Sequence, residues 1–169
     1  GATSGLTVLM STLLDPGDEV LLPSPFWPLI RGIIASRGGV PVQVPIVDRL
    51  AQMTPEAIEA ALEAKVTDRT VTLYINTPHN PTGAVMRDAA VDAMLAVATR
   101  HDLWVVCDEA YQDLWFGDAA PTPVWARPDI ANRAVACHTL SKSYGLAGSR
   151  IGYVHGPEEL MRSVRAVQT

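Results

Sequence analysis

Lysine is scarce in this sequence: Lys65 and Lys142 are the only two among 169 residues. Any chemistry that needs a lysine amine therefore has two candidates. Basic residues number 13 against 18 acidic ones, a net charge of -5, and they are spread along the chain rather than clustered. That distribution argues against a nucleic-acid-binding face. No apolar run reaches the roughly 18 residues that a membrane span needs, so no membrane partner is expected. The opening residues Gly1 to Gly5 lack the basic-then-apolar pattern of a signal peptide. Cysteine is limited to Cys107 and Cys137, both in apolar runs without CxxC spacing. The expectation is a pair of buried, reduced thiols in a cytoplasmic protein. His79, His101, His138 and His155 are scattered, with no spacing that would assemble a metal site, so no metal is expected. Internal repeats and low-complexity tracts are absent.

What is present is ordinary globular composition, 48% hydrophobic and 18% charged, enough for one core and one domain. Short apolar runs alternate with helix-period segments, the βαβ rhythm of a mostly parallel sheet flanked by helices, an α/β fold. Strands are expected over Glu19 to Leu22, Val40 to Val44, Thr70 to Ile75, Leu103 to Cys107, Ala134 to His138 and Ile151 to Val154. Helices are expected over Leu6 to Leu14, Leu29 to Ser36, from a Thr54 cap to Ala64, over Arg87 to Arg100, and from Pro157 onward. The sequence begins at what reads as a turn-to-helix junction and ends inside the helical pattern Val164 to Val167, so truncation at both ends is expected.

Polar segments follow directly on three of these strands: Asn76 to Gly83, Asp108 to Tyr111, and Thr139 to Lys142. In an open α/β sheet, residues just past the carboxyl ends of parallel strands line one crevice. Asn80, Asp108, Tyr111 and Lys142 are thus expected to meet in space. Each has an ordinary alternative. A lysine in a cleft can attack a carbonyl, yet most lysines are solvated surface groups. Asp108, at the end of an apolar strand, can pair with a buried cation or simply cap a turn. The small residues Gly1 to Gly5 opening a helix can hold a phosphate, or Thr3 or Ser4 can cap the helix. Arg150, beyond Gly145 and Gly148, can return to the site and bind a phosphate. Trp27 can stack on an aromatic ligand or belong to the core.

Taken in order, five segments resemble the class I/II, fold-type I pyridoxal-phosphate-dependent aminotransferases: Gly1-Ala2-Thr3, Pro25-Phe26-Trp27-Pro28, Asn76 to Gly83 (NTPHNPTG), Asp108-Glu109-Ala110-Tyr111, and Ser141 to Gly152 (SKSYGLAGSRIG). The resemblance runs the length of the chain. It implies that residues 1–169 are part of the family's large domain, without the N-terminal arm and the C-terminal small domain. It also implies pyridoxal 5'-phosphate as cofactor, held by Lys142 as a Schiff base, with Asp108 on the ring nitrogen. Asn80 and Tyr111 would meet the phenolic oxygen, and Trp27 would stack on the ring. The backbone of Ala2 and Thr3, with the side chains of Thr3, Thr139 and Arg150, would hold the phosphate. Asn76 and Asn80 would face substrate, and Lys142, Asp108 and Tyr111 would be the catalytic set.

The implied activity is amino-group transfer between an amino acid and a 2-keto acid by ping-pong covalent catalysis, in a full-length homodimer. The family's substrate-carboxylate arginine lies in the C-terminal domain, so the sequence names no substrate. Alternatives on the same fold are β-elimination at a C–S bond, a sensor domain that binds the cofactor without turnover, and a catalytically dead fragment.

Overall fold

The computed structural model describes residues 1–117 and 120–168. In chain order its elements are α1 (Ala2–Leu13), β1 (Glu19–Ser24), α2 (Pro28–Ser36), β2 (Val40–Pro45), α3 (Pro55–Glu63), β3 (Thr70–Asn76), α4 (Asp88–Arg100), β4 (Trp104–Asp108), β5 (Ala134–Thr139), β6 (Gly152–His155) and α5 (Glu158–Gln168). The strands form one sheet in the order β2-β1-β3-β4-β5-β6. Pairing is parallel from β2 through β5, and β6 joins β5 antiparallel. The mostly parallel α/β sheet expected from the alternation of strands and helices is what forms.

Strands β1, β3, β4 and β5 are buried almost throughout because helices cover both faces. Successive side chains point to opposite faces, and the two cores divide accordingly. Leu21, Leu73, Ile75, Val105 and Cys107 pack with Ile58 and Leu62 of α3 and Val91 and Met94 of α4. Val20, Leu22, Tyr74, Val106, Val135 and Cys137 pack with Leu6, Leu9 and Met10 of α1, Ile30 and Ile34 of α2, and Leu160 and Val164 of α5. The same parity puts Asn76, Asp108 and Thr139, at the strands' carboxyl ends, on the α1 face. Strand periodicity therefore already sorts polar residues onto one side of one end of the sheet.

Helix α3 starts as its sequence dictates: Thr54 Oγ1 accepts a hydrogen bond from Ala57 N at 3.3 Å, and Pro55 occupies the first turn. Helix α1 differs from expectation, beginning at Ala2 rather than Leu6, with Gly1 as an N-cap that has no side chain to offer. Neither Thr3 nor Ser4 caps it. Ser4 and Gly5 amides reach Gly1 O at 3.0 and 3.2 Å, so the small residues make the first turn themselves. Buried Leu6, Leu9 and Met10 anchor that turn to the sheet, outweighing the poor helix propensity of glycine and serine. Cys107 and Cys137 are free and buried, as expected. No described helix is long and apolar enough to cross a membrane.

Candidate active site

The chain runs from β1 outward to β2, then returns to place β3, β4 and β5 on the other side of β1. Connections diverge there, which opens a crevice beyond the carboxyl ends of the strands. A cavity of about 220 Å³ lies in it. Ala2 and Thr3 line it from α1, and Trp27 from the turn after β1. Asn76 and Asn80 follow β3, and Asp108 and Tyr111 follow β4. Thr139 ends β5, and Lys142 and Arg150 come from the loop that leads to β6. All ten residues singled out in the sequence thus share one wall of space. Sequence reasoning missed Leu6, Ala110, Ser141 and Ala147, which complete the lining; only Ser141 among them has a polar side chain.

Asp108 is the buried charge of the site, 6% exposed. Burial pushes its carboxyl up from the usual carboxylate range, and hydrogen bonds from the Tyr74 hydroxyl and the Ala110 amide pull it back. Tyr74 donates to Oδ2 at 2.5 Å and Ala110 N to Oδ1 at 3.2 Å. The bond from Ala110 is the turn cap that competed with the functional reading of this aspartate; it coexists with a carboxylate facing the cavity. Asn76 Nδ2 donates to the Asp108 main-chain oxygen at 2.8 Å, and its Oδ1 accepts from Asn80 N at 2.8 Å. The Asn76 amide is therefore engaged at both ends, tying the β3 loop to the end of β4. Asn80 Nδ2 donates to the Tyr111 hydroxyl at 3.3 Å, so two groups able to meet one ligand oxygen stand together.

Tyr74 was invisible as a site residue because a tyrosine inside an apolar strand reads as core. Trp27, half-buried, packs against the α1–α2 core and also lines the cavity. Lys142 is exposed at the mouth of the cavity, its Nζ 5.3 Å from the centre of the Tyr111 ring. No described carboxylate pairs with Lys142 or Arg150.

Opposite Asp108 the site is built for an anion. The first amides of α1, at Ala2 and Thr3, lack intrahelical acceptors, and no described side chain caps them. Arg150 lies alongside, its guanidinium donating to Ala147 O at 3.0 Å and Ser141 Oγ at 3.4 Å, while its main-chain oxygen accepts from Gly1 N at 2.7 Å. Arg150 has a left-handed backbone, φ 52, a conformation uncommon for a residue with a side chain. Thr139 Oγ1 accepts from Ser141 N at 3.2 Å and donates to Ile151 O at 3.4 Å, closing the turn that presents Lys142. Gly152 lets these pieces meet: a Cβ there would lie 2.5 Å from His138 O and 2.8 Å from Ala2 N.

These groups fit the four polar features of pyridoxal phosphate. The helix N-terminus with Thr3, Thr139 and Arg150 suits a phosphate. Buried Asp108 suits a protonated ring nitrogen, the Asn80–Tyr111 pair suits a phenolic oxygen, and Lys142 supplies an amine for an aldehyde. Among the described residues no group of three metal-ligating side chains assembles.

A mostly parallel, helix-covered sheet with a lysine at the mouth of an anion-binding crevice defines an α/β domain of the pyridoxal-phosphate-dependent transferase type. Comparison with known proteins identifies the family. The aminotransferase class I and II family matches residues 1–169, and the chain belongs to it. An aspartate/prephenate aminotransferase of Cereibacter sphaeroides is 37% identical over 99% of this chain and 42% of its own length. A probable N-succinyldiaminopimelate aminotransferase of Mycobacterium tuberculosis is 36% identical over 99% of this chain. The solved structure of N-succinyldiaminopimelate aminotransferase from Mycobacterium tuberculosis superposes with a TM-score of 0.88 at 35% identity, covering 99% of this chain and 43% of that one. The chain thus spans about 42% of the length of the curated relatives it matches.

Proposed function

We propose that this chain is the cofactor-binding part of the large domain of a cytoplasmic, homodimeric pyridoxal-phosphate-dependent aminotransferase that moves an amino group between an amino acid and a 2-keto acid. The observation that carries the reading is the convergence of Lys142, Asp108, Asn80, Tyr111, Arg150 and the first residues of α1 on one cavity. The names of the relatives support the reaction class. Their greater length supports the partial-domain reading, with an N-terminal arm and a C-terminal small domain elsewhere in the full-length protein.

When bound, the cofactor supplies an aldehyde that condenses with amines and a ring that accepts an electron pair from the substrate α-carbon. The chain's own residues do the rest. The Ala2 and Thr3 amides, with Thr3, Thr139 and Arg150, would hold the phosphate, and Trp27 would stack on the ring. Asp108 holds a proton on the ring nitrogen, and its burial makes that pairing strong. Asn80 and the Tyr111 hydroxyl orient the phenolic oxygen, and Asn80 also faces substrate. Asn76 supports this arrangement by fixing Asn80 to Asp108. Lys142 would hold the aldehyde, and its amine would carry the proton to and from the substrate α-carbon.

The test is a product balance on the full-length protein loaded with the cofactor. With an amino acid alone, one equivalent of 2-keto acid per site and no ammonia is expected, and turnover begins only when a second keto acid is added. Continuous release of ammonia with the keto acid would point instead to β-elimination.

A further inference from the structure

Tyr74 stands out among the buried groups because its chemistry is not needed by the strand that carries it. It lies in β3, 2% exposed, among Val20, Leu22, Val106 and Val135, where an aliphatic side chain would pack without a polar atom to satisfy. Register explains what the phenol reaches. Tyr74 pairs with Val106 and Asn76 with Asp108, so Tyr74 and Asp108 are diagonal neighbours on one sheet face, a span an aromatic side chain bridges. The hydroxyl donates to Asp108 Oδ2 at 2.5 Å. With the Ala110 amide on Oδ1 and Asn76 on the main-chain oxygen, Asp108 is held at three points.

We propose that Tyr74 is a positioning residue for Asp108: its hydroxyl fixes the buried carboxylate and keeps it anionic, ready for the protonated ring nitrogen of pyridoxal phosphate. This rests on the reading of the cavity given above. A carboxyl removed from water drifts toward its neutral form, and a hydrogen bond to the charged form opposes that drift. Burial and the adjacent Asp108 push the Tyr74 phenol well above its ordinary value. Tyr74 is therefore a neutral donor throughout the working pH range. The Tyr74 hydrogen bond favours the charged form of Asp108 against the burial that opposes it, before the cofactor arrives.

The experiment measures dissociation constants of the full-length protein for pyridoxal phosphate and for its 1-deaza analogue, in which a CH group replaces the ring nitrogen. The ratio of the two constants reads the Asp108 pairing alone. Tyr74→Phe keeps ring and volume while removing the donor. The ratio should fall about tenfold or more, the weight of a hydrogen bond to a charged group, with affinity for the analogue nearly unchanged. Asp108→Asn should abolish the preference, and adding Tyr74→Phe to it should cause no further loss. Equal weakening of both ligands in Tyr74→Phe would mean a packing role only and overturn the proposal, as would an unchanged ratio. An unmodified protein with no preference for the ring nitrogen would overturn the cavity reading itself, and the role of Tyr74 with it.

Discussion

Glu109 follows Asp108 in the chain and is 4% exposed, with its Oε1 accepting a hydrogen bond from Val124 N at 3.2 Å. Burial, reinforced by the neighbouring Asp108, raises its carboxyl from 4.5 to about 7 even though the Val124 bond opposes the rise. Between those values the folded protein keeps a proton that the unfolded chain has released. Stability therefore falls as pH rises from 4.5 to about 7 and levels off above that. At about 1.4 kcal/mol per pH unit, the interval corresponds to about 3 kcal/mol. Glu109→Gln retains the shape and the acceptor oxygen but cannot ionise. The variant should match the parent in stability near pH 4.5 and exceed it at pH 8 by an amount approaching about 3 kcal/mol. Urea unfolding at pH 4.5, 6 and 8 measures the difference, and subtracting the parent's curve cancels the titrating groups that Glu109 does not touch. A difference that stays constant across the three pH values would refute the reasoning, because the proton would then not be held by Glu109.

Two further outcomes follow from the same geometry. Gly152→Ala places a methyl group against His138 O and Ala2 N, both backbone atoms, so α1 must retreat from the end of β5. Overpacking of this kind should cost about 1–3 kcal/mol in urea unfolding. Because the retreat moves the Ala2 amide, cofactor affinity should fall by at least tenfold in a direct titration. His138 is driven to about 4, first by burial and then by His155, whose Nε2 lies 2.9 Å from its own. The folded state thus holds His138 neutral where the unfolded chain is protonated, and stability is lost as pH falls from 6.5 toward 4. His138→Asn should flatten that acid limb in thermal melts taken across the same range.

How much of this was legible in the sequence depends on the physics that placed each residue. The order of strands and helices followed from hydrophobic period, and the polar stretches after β3, β4 and β5 had to converge once the sheet was parallel. The start of α1 was misplaced because Ala2 to Gly5 have weak local preferences, and tertiary burial of Leu6, Leu9 and Met10 decides the first turn. Tyr74 could not be found, since its partner is set by strand register, which spacing along the chain does not encode. A tyrosine two positions before Asn76, on the same strand face, is the trace it left. Asn76 was read toward substrate; it lines the cavity, and its amide also ties Asn80 to Asp108, a pairing that register sets and spacing does not show. Lys142 was singled out partly by its rarity, and the structure sets it at the cavity mouth facing the Tyr111 ring.

The central claim is that Lys142 is the amine that receives the cofactor. Borohydride reduction of the protein with pyridoxal phosphate, followed by mass mapping of the peptides, addresses it directly. The account predicts a single stable adduct on Lys142, with a visible absorption band that disappears on reduction and is missing in Lys142→Ala. A reduced adduct on Lys65, or one that persists in Lys142→Ala, would contradict it.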